Sequence, residues 1–260
     1  MKQNNMRLLT IDLGNTNIAI GFYDGEILTA HWRLATDYKK MGDEYGLQFL
    51  GLLESKGLSP ADFSGIILSS VVPPLTERLE RACESYLGKK PLKVHSDLKL
   101  NVNIRYDDPS AVGADRIADA VATVSLFSSP ACVIDFGTAT TFNAINKNEE
   151  YLGGAILPGI GLSAEVLFER TAKLTTVELT APPSIIGSNT RHAIQSGLIY
   201  GYVSLVEGLV KRFKKELGGN TIVIATGGHV HRISPHTEVI DHIEPWLTLD
   251  GLRIIWEMNR

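Results

Sequence analysis

The chain has 260 residues, of which 44% are apolar, and carries a formal net charge of −4. Its length allows one large domain or two modest ones with an ample core, and its acidic balance argues against binding nucleic acid. Two cysteines cannot form a disulfide framework, and the lack of a signal-peptide pattern or of any stretch expected to span a bilayer predicts a cytoplasmic protein with no membrane partner.

The first half of the sequence opens with strands and then alternates helices and strands. Apolar alternation predicts the first three strands, and Asp24-Gly25 predicts a hairpin turn between the second and the third. The predicted strands lie at 7–12, 18–23, 26–32 and 65–72, and the predicted helices at 45–55 and 75–87. A later helix carries an apolar stripe made of Ile117, Ala120, Val121, Val124 and Phe127.

The second half of the sequence repeats this order of elements. Strands are predicted at 131–135, 141–146, 151–157 and 221–225, and helices at 163–173 and from about 190 to 213. Each half therefore opens with a strand, an Asp-x-Gly loop and a second strand. This repetition predicts an α/β fold of two similar halves, with a first domain over 1–117 and a second over 118–260.

Two loops share one design, in which an apolar strand leads into Asp-x-Gly and small hydroxyl or amide residues. They are Asp12-Leu13-Gly14-Asn15-Thr16-Asn17 and Asp135-Phe136-Gly137-Thr138-Ala139-Thr140-Thr141. A glycine just past a strand lets backbone N–H groups face a ligand closely, and a carboxylate can hold Mg²⁺ directly or through water. A simple turn explains either loop alone. Their repetition predicts two halves that close over the phosphates of a nucleotide.

A third motif, Gly113-Ala114-Asp115-Arg116, opens the helix that precedes the second half. Asp115 is predicted in its first turn, opposite the apolar stripe, where an acid interacts favourably with the helix dipole. The functional alternative is that Asp115 accepts a proton from a substrate hydroxyl while Arg116 binds an anionic group. Asp119, one turn later, either pairs with Arg116 or faces Asp115 and raises the pKa of that carboxyl by like-charge repulsion.

Two glycine patterns have both a structural and a functional interpretation. Thr226-Gly227-Gly228 follows a predicted strand and favours either a tight turn or contact with the adenosine end of a nucleotide. The long helix carries Ala193, Gly197 and Gly201 at four-residue spacing. Such a smooth stripe lets another helix approach closely, so we expect a subunit interface or a tight contact within the chain.

Several other familiar signatures match the sequence less completely. The segment 159–164 matches the dinucleotide pattern Gly-x-Gly-x-x-Ala, with Glu178 downstream, but an NAD enzyme would leave both Asp-x-Gly loops unexplained. Asp135-Phe136-Gly137 spells a protein-kinase tripeptide without that family's catalytic loop, and the Walker signature is absent. His229, His231, His236 and His242 favour a loop over a zinc site, since no cysteine and no His-Glu-x-x-His pattern accompanies them.

The chain resembles the type III pantothenate kinases, members of the superfamily that includes acetate and sugar kinases, the Hsp70 ATPase domain and actin. The matching motifs occur in family order and span nearly the whole chain. They lie at 12–17, 112–116, 135–141, 153–159, 186–187 with Thr190, 193–197, 225–228 and 247–252. The resemblance implies two actin-like (ribonuclease H-like) halves with a nucleotide cleft between them.

The resemblance also implies an activity, the ATP-dependent phosphorylation of pantothenate to 4′-phosphopantothenate in coenzyme A biosynthesis. It implies Mg²⁺ near Asp12, a monovalent cation (K⁺ or NH₄⁺) at Asp135, and Asp115 as the proton acceptor of a homodimeric enzyme. The residues implied to contact ATP are Asp12, Leu13, Gly14, Asn15, Thr16, Asn17, Ile18, Ala19 and Thr138. Those implied to contact pantothenate are Tyr106, Gly113, Ala114, Asp115, Arg116 and, from across the dimer interface, Thr190.

The chain departs from the family pattern at Asp119, where Asn is usual, and at Ser188, where Lys is common. Neither change removes a catalytic group; the first can alter the pKa of Asp115 and the second can weaken an accessory contact. Three alternatives stay open: a kinase for another small molecule and a nucleotide-binding regulatory relative, both on the same scaffold, and the NAD enzyme that the pattern at 159–164 allows. Retention of Asp115, Arg116 and Asp135 argues against a loss of catalysis.

Overall fold

The computed structural model describes residues 7–170 and 176–260 of the chain. Its strands are β1 Arg7–Leu13, β2 Asn17–Asp24, β3 Ile27–Ala35, β4 Gly65–Ser70, β5 Leu92–Lys93, β6 Asn103–Ile104, β7 Ala131–Phe136, β8 Ala139–Ile145, β9 Glu150–Pro158, β10 Ile222–Thr226 and β11 His242–Ile243. Its α-helices are α1 Gly42–Glu54, α2 Pro73–Leu87, α3 Ala114–Leu126, α4 Ile160–Glu169, α5 Thr190–Leu217, α6 Val230–Ile233 and α7 Leu247–Asn259. Short 3-10 turns follow at Pro60–Asp62, Pro109–Ala111 and Ser234–His236.

The chain folds into two compact units, each built on one sheet. Unit 1 contains the described residues up to Asn101, then Asp107–Ser125 and Leu247–Arg260. Unit 2 contains the described residues of Val102–Tyr106 and Leu126–Trp246. The predicted boundary between residues 117 and 118 falls inside α3, whose residues Ala114–Ser125 belong to unit 1, and α7 joins the same unit from the far end of the chain.

The sheet of unit 1 has the strand order β3-β2-β1-β4-β5. Strand β1 runs antiparallel to β2 and parallel to β4. Alternate residues of β1, among them Leu9 and Ile11, join a core with Tyr45 of α1 and Leu79 of α2. Because successive side chains point to opposite faces of a strand, the other residues of these strands face away from α1 and α2.

Helix α7 packs against β1, β2 and β4 of unit 1. A Cβ placed at Gly21 of β2 would lie 3.1 Å from the Leu249 side chain of α7. The Tyr23 hydroxyl donates a hydrogen bond to Asp250 Oδ1 at 2.7 Å, and the Arg253 guanidinium lies 5.8 Å from the centre of the Tyr23 ring. The sheet of unit 1 is therefore covered by α7 on the face that α1 and α2 leave open.

The sheet of unit 2 has the strand order β11-β10-β7-β8-β9-β6. Strand β7 is parallel to β10 and antiparallel to β8, and β8 is antiparallel to β9. One face of α5, including Ile199, Val206 and Val210, packs into a core with Ile134 of β7 and Phe142 of β8. In both units the second strand of the hairpin returns from an Asp-x-Gly loop, as the repeated motif predicts.

The longer predicted strands and helices are confirmed to within a few residues at most ends. Helix α4 begins before the predicted residue 163, and the predicted positions 171–173 lie outside the described residues. The two-residue strands β5, β6 and β11 carry no periodic signal, and helix α7 was not predicted. In α3, burial extends to Arg116, Asp119 and Thr123, beyond the predicted stripe.

Helix α5 corrects the expectation that no segment could span a bilayer. By length and composition alone, Thr190–Leu217 is long and apolar enough to do so, and half of its apolar 18-residue stretch is buried within the protein. The core helix of a globular unit passes the same test, and the buried face of α5 packs on the sheet of unit 2. Ala193, Gly197 and Gly201 lie exposed on another side of this helix.

Candidate active site

The first predicted loop places Asp12 at the carboxyl end of β1. In the sheet Asp12 is paired in register with Ser69 of β4 and with Ala19 of β2. The chain then bends tightly, with the Gly14 N–H donating to the Asn17 carbonyl at 3.0 Å. Asn15, Thr16 and Asn17 are exposed beyond this bend. Amide and hydroxyl groups thus surround a carboxylate at the end of a strand, as a phosphate and metal site requires.

Asp115 lies in the first turn of α3, as predicted, and its position depends on the glycine before the helix. Its Oδ1 accepts a hydrogen bond from the Arg116 backbone N–H at 2.8 Å. A Cβ at Gly113 would lie only 2.5 Å from the same oxygen. Any larger residue at position 113 would therefore displace the carboxylate. Ala114 and Arg116 are buried on either side, Arg116 with 8% exposure.

The carboxyl groups of Asp12 and Asp115, both in unit 1, interact electrostatically. Desolvation and, second to it, the negative charge of Asp115 raise the pKa of Asp12 to about 7, against the lowering effects of the nearby Ser69 hydroxyl and of the charge of Arg33. Desolvation also raises the pKa of Asp115, while the N–H and the charge of Arg116 lower it. Interacting acids with raised pKa values are typical of active sites. Such a carboxyl group is stabilised either by binding a nearby cation or by accepting a proton, as a reaction can require.

Asp119 is buried in α3, with 1% exposure, and accepts a hydrogen bond from Thr248 Oγ1 at 2.8 Å. Thr248 belongs to α7. A Cβ at Gly251, one turn further along α7, would collide with the backbone carbonyl of Ala118. The two helices are therefore in close contact beside the helix turn that carries Asp115. The residue that departs from the family pattern thus ties α3 to α7, an arrangement that the sequence alternatives did not include.

The second predicted loop places Asp135 at the end of β7, among glycines. Gly227 has φ +95°, and a Cβ there would collide with Asp135 Oδ1. A Cβ at Gly137 would lie 3.2 Å from the Ala139 carbonyl and 3.4 Å from Asp135 Oδ2. Glycine backbone thus lies close against the carboxylate, which can itself supply the oxygen ligands that hard cations prefer. Gly227, considered for adenosine contact in the sequence, lies against this carboxylate.

Gly159 supports the loop that follows Asp135. Its N–H donates to the Thr138 carbonyl at 2.9 Å, and a Cβ there would collide with the carbonyls of Gly137 and Thr138. Gly159 precedes α4, and the strand before it, β9, is antiparallel to β8. A dinucleotide site needs a parallel strand-helix-strand unit at this point. The arrangement therefore disfavours NAD binding, and the glycine serves the Asp135 loop, where the Thr138 side chain is exposed.

Tyr106 rests on a glycine of β9. Its ring centre lies 6.3 Å from that of Tyr151, and a Cβ at Gly153 would lie 2.9 Å from Tyr106 Cε2. Gly153 has φ +106°, a conformation that other residues rarely adopt. Tyr151 in turn donates a hydrogen bond to the buried Asn143 side chain at 3.3 Å. A polar and aromatic layer inside unit 2 therefore sets the position of Tyr106.

Thr190 is exposed as the first residue of α5. Asn189 caps the helix, since its Oδ1 accepts from the His192 N–H at 2.9 Å. A Cβ at Gly187 would collide with the backbone of Ala193, so the chain enters the helix in a tight bend. Gly197 and Gly201 on the same helix have open space where a side chain would stand. Thr190 and this stripe are accessible to another molecule.

The structure thus groups the predicted residues by unit. Asp12–Ala19 and Gly113–Arg116 lie in unit 1, where Asp12 and Asp115 are coupled; Tyr106, Asp135, Thr138 and Thr190 lie in unit 2. That both loops face one nucleotide stays a prediction. Within residues 7–170 and 176–260, no cluster of three or more His, Cys, Asp or Glu side chains could hold a metal. A single carboxylate still suits Mg²⁺, which is commonly bound by one or two carboxylates together with substrate phosphates.

Comparisons with known proteins identify the family of this chain. A profile of the family described as "Type III pantothenate kinase" matches residues 8–212. A type III pantothenate kinase of Moorella thermoacetica is 48% identical over 97% of this chain and 99% of its own length. One of Bacillus cytotoxicus is 50% identical over 97% of this chain and 96% of its own length.

The chain belongs to the type III pantothenate kinase family. Among solved structures, the inorganic polyphosphate/ATP-glucomannokinase of Arthrobacter sp. strain KM is similar, with 14% identity, a TM-score of 0.51 and 98% of each chain covered. At that identity the similarity concerns the fold alone. It agrees with the actin-like α/β fold that the family resemblance implies.

Sequence reasoning missed several residues that shape the site. Ser69 lies beside Asp12 only because β4 pairs with β1, and Gly153 lies against Tyr106 only because β9 pairs with β6. Ser69 and Gly153 both lie in segments whose sequence pattern is that of an ordinary strand. The family motif at 153–159 was the one signal that could have pointed to Gly153.

Proposed function

We propose that this protein transfers the γ-phosphoryl group of ATP to the primary hydroxyl of pantothenate, giving 4′-phosphopantothenate and ADP, the first step of coenzyme A biosynthesis. The observation that carries the proposal is the coupled pair Asp12 and Asp115 in a member of this kinase family. One acid begins a phosphate-type loop, and the other lies in the first turn of a helix beside an anion-binding partner, Arg116. A kinase needs these two positions, one for ATP and one for the attacking hydroxyl.

In this proposal the segment Asp12–Ala19 binds the ATP phosphates through its backbone N–H groups and the side chains of Asn15, Thr16 and Asn17. Asp12 would hold Mg²⁺, which supplies positive charge to the phosphates when bound. Thr138, exposed on the second loop, contacts ATP. Phosphoryl transfer passes through a loose transition state, so the residues chiefly orient the two substrates and balance charge.

Asp115 accepts the proton of the pantothenate hydroxyl as that oxygen attacks. The Arg116 N–H holds Oδ1 at 2.8 Å, which fixes the carboxylate and favours its ionised form. Tyr106, Gly113, Ala114, Arg116 and Thr190 line the pantothenate site, with Thr190 reaching it from the partner of a homodimer. The exposed stripe on α5 supports that dimer, because small residues allow close helix contact. We infer a cytoplasmic enzyme with neither nucleic acid nor a membrane as partner.

Asp135 would bind a monovalent cation, K⁺ or NH₄⁺. Its carboxylate supplies oxygen ligands and one negative charge, and the close packing of Gly227 against it excludes a side chain at that position. With Na⁺ as the only monovalent cation, we expect kcat/KM for ATP to fall about tenfold to a hundredfold, the effect of losing a charged contact of about 1.5–3 kcal/mol.

The cation dependence is measured by ADP release at constant ionic strength, with KCl replaced stepwise by NaCl or choline chloride. Asp135→Asn should have low activity in every salt and little difference between K⁺ and Na⁺. Full activity of the unaltered protein in NaCl alone would remove the cation role of Asp135.

Gly153→Ala should raise KM for pantothenate about tenfold. The new Cβ would lie 2.9 Å from the Tyr106 ring, and φ +106° adds backbone strain of about 1–3 kcal/mol. Steady-state kinetics with each substrate varied should show KM for ATP nearly unchanged. Gly57→Ala is the matched control, since Gly57 has φ +68° but open space around it. Equal pantothenate KM values in both variants would contradict the role of Gly153 as a support for Tyr106.

The proposed activity is tested by ADP release with pantothenate against a panel of small alcohols and sugars. Release that depends on pantothenate supports the proposal. Preference for another acceptor would indicate a different small-molecule kinase, and ATP binding without turnover on any acceptor would indicate a regulatory relative. Either of these outcomes would overturn it.

A further inference from the structure

The segment after β3 is tied to the ATP loop by three hydrogen bonds. Thr36 Oγ1 donates to the Gly14 carbonyl at 2.7 Å, and the Thr36 N–H donates to the Thr16 carbonyl at 2.9 Å. The Tyr38 hydroxyl donates to Asn15 Oδ1 at 3.1 Å. Three consecutive residues of the loop are therefore held from one side by a segment that is distant in sequence.

This segment is itself fixed by two helices of unit 1. The hydroxyl of Tyr45 on α1, a residue with 0% exposure, accepts from the Asp37 N–H at 2.9 Å and donates to the Asp37 carbonyl at 3.0 Å. Arg78 Nη1 on α2 donates to the carbonyls of Tyr38 and Lys40 at 2.9 and 3.0 Å. The Tyr38 backbone is thus anchored, so its hydroxyl can act as a fixed donor.

A carboxamide has an accepting end and a donating end, and only the donating end attracts a phosphate. A bond to Asn15 Oδ1 leaves the Nδ2 hydrogens as the groups that Asn15 offers to a ligand. Both side chains are exposed, Tyr38 with 49% exposure, so a ligand can reach them. Orientation of a donor before binding removes part of the entropy loss on binding.

We propose that Tyr38 is a positioning residue for ATP, which orients the Asn15 carboxamide so that its N–H groups face the phosphates. This inference rests on the proposed function, in which the loop binds the phosphates. Tyr38 does not take part in the chemical step. Its loss should therefore weaken ATP binding while the rate at saturating substrate stays close to that of the unaltered enzyme.

The direct test is Tyr38→Phe, which removes only the hydroxyl. We expect KM for ATP, and the dissociation constant of Mg²⁺ with a non-hydrolysable ATP analogue, to rise about threefold to tenfold, as for one lost hydrogen bond. The values of kcat and of KM for pantothenate should stay nearly unchanged. Tyr86→Phe is the control, because the Tyr86 hydroxyl also interacts with a side chain of unit 1, the carboxylate of Asp43, outside the ATP loop.

A double-mutant cycle with Asn15→Ala identifies the partner. Once Asn15 is replaced, Tyr38→Phe should have no further effect on analogue binding, whereas independent effects would multiply. An unchanged affinity in Tyr38→Phe, or multiplied effects in the double variant, overturns the inference. Because analogue binding is measured without pantothenate, this result is distinct from a failure of pantothenate-dependent ADP release, which would reject the proposed function instead.

Discussion

Asp115→Asn should lower kcat by about two to four orders of magnitude, the usual contribution of a general base. Asparagine keeps the size of the side chain but cannot accept the hydroxyl proton. The substitution leaves the space beside Gly113 and the Arg116 backbone N–H unchanged, so pantothenate should still bind. ADP release measures the first expectation, and calorimetric titration with pantothenate measures the second.

The control for this variant is Asp97→Asn, which changes a side chain of unit 1 that is 93% exposed. It should have the kinetics of the unaltered enzyme. Near-normal turnover of Asp115→Asn would exclude Asp115 as the base. Loss of pantothenate binding in that variant would instead indicate that Asp115 chiefly binds the substrate.

The pH dependence of the unaltered enzyme should carry the signature of Asp115. The pKa of this carboxyl is raised above the ordinary value of 3.8 by desolvation. Only the ionised carboxylate accepts a proton, so kcat/KM for pantothenate should fall with decreasing pH, beginning above the ordinary carboxyl range. With ATP and Mg²⁺ saturating, so that the bound cation keeps Asp12 ionised, the remaining activity of Asp115→Asn should lack this acidic limb.

Asp12→Asn should combine a large loss of activity with a gain in stability. Without this carboxylate, the charge balance of the ATP phosphates is impaired, and we expect kcat/KM for ATP to fall at least about a hundredfold. The ligand-free protein should become harder to unfold at neutral pH, because asparagine avoids the desolvated charge beside Asp115. ADP release and urea denaturation measure the two effects.

The sign of the stability change follows from linkage. The pKa of Asp12 has its ordinary value of 3.8 in the unfolded chain and is about 7 in the folded protein. The folded state therefore binds the proton more tightly, and this stabilisation is complete below pH 3.8 and is lost as the pH rises through 7. The advantage of Asp12→Asn should accordingly be small at pH 4 and largest above pH 7. An advantage independent of pH, or normal kinetics with ATP, would contradict the role of Asp12.

Local signals explain why much of unit 1 and unit 2 could be predicted. The strand, Asp-x-Gly loop and strand that contain Asp12 and Asp135 are continuous in sequence, and Asp115 lies in the first turn of its helix as its motif predicts. Their spacing needs no knowledge of distant contacts. The family resemblance, which rests on motifs along the whole chain, supplied the substrate and the roles.

The contacts that refine the site could not be predicted, because they join residues distant in sequence. Tyr38 meets Asn15 because the end of β3 returns beside the loop, and Gly227 meets Asp135 because β10 pairs with β7. Neither pairing has a pattern of its own in the sequence. The same reason explains why α7 was not assigned to unit 1, since only its docking on β1, β2 and β4 shows that it belongs there.

The origin of α7 at the far end of the chain has a consequence for biosynthesis. The strands of unit 1 leave the ribosome early, but the helix that covers one face of their sheet is translated only after the whole of unit 2. Apolar surface on that face, which includes Gly65 beside Trp256, stays uncovered during this interval. Unit 2 can therefore complete its fold before unit 1 does, and the uncovered face of the unit 1 sheet is a surface at which the nascent chain can aggregate until α7 emerges.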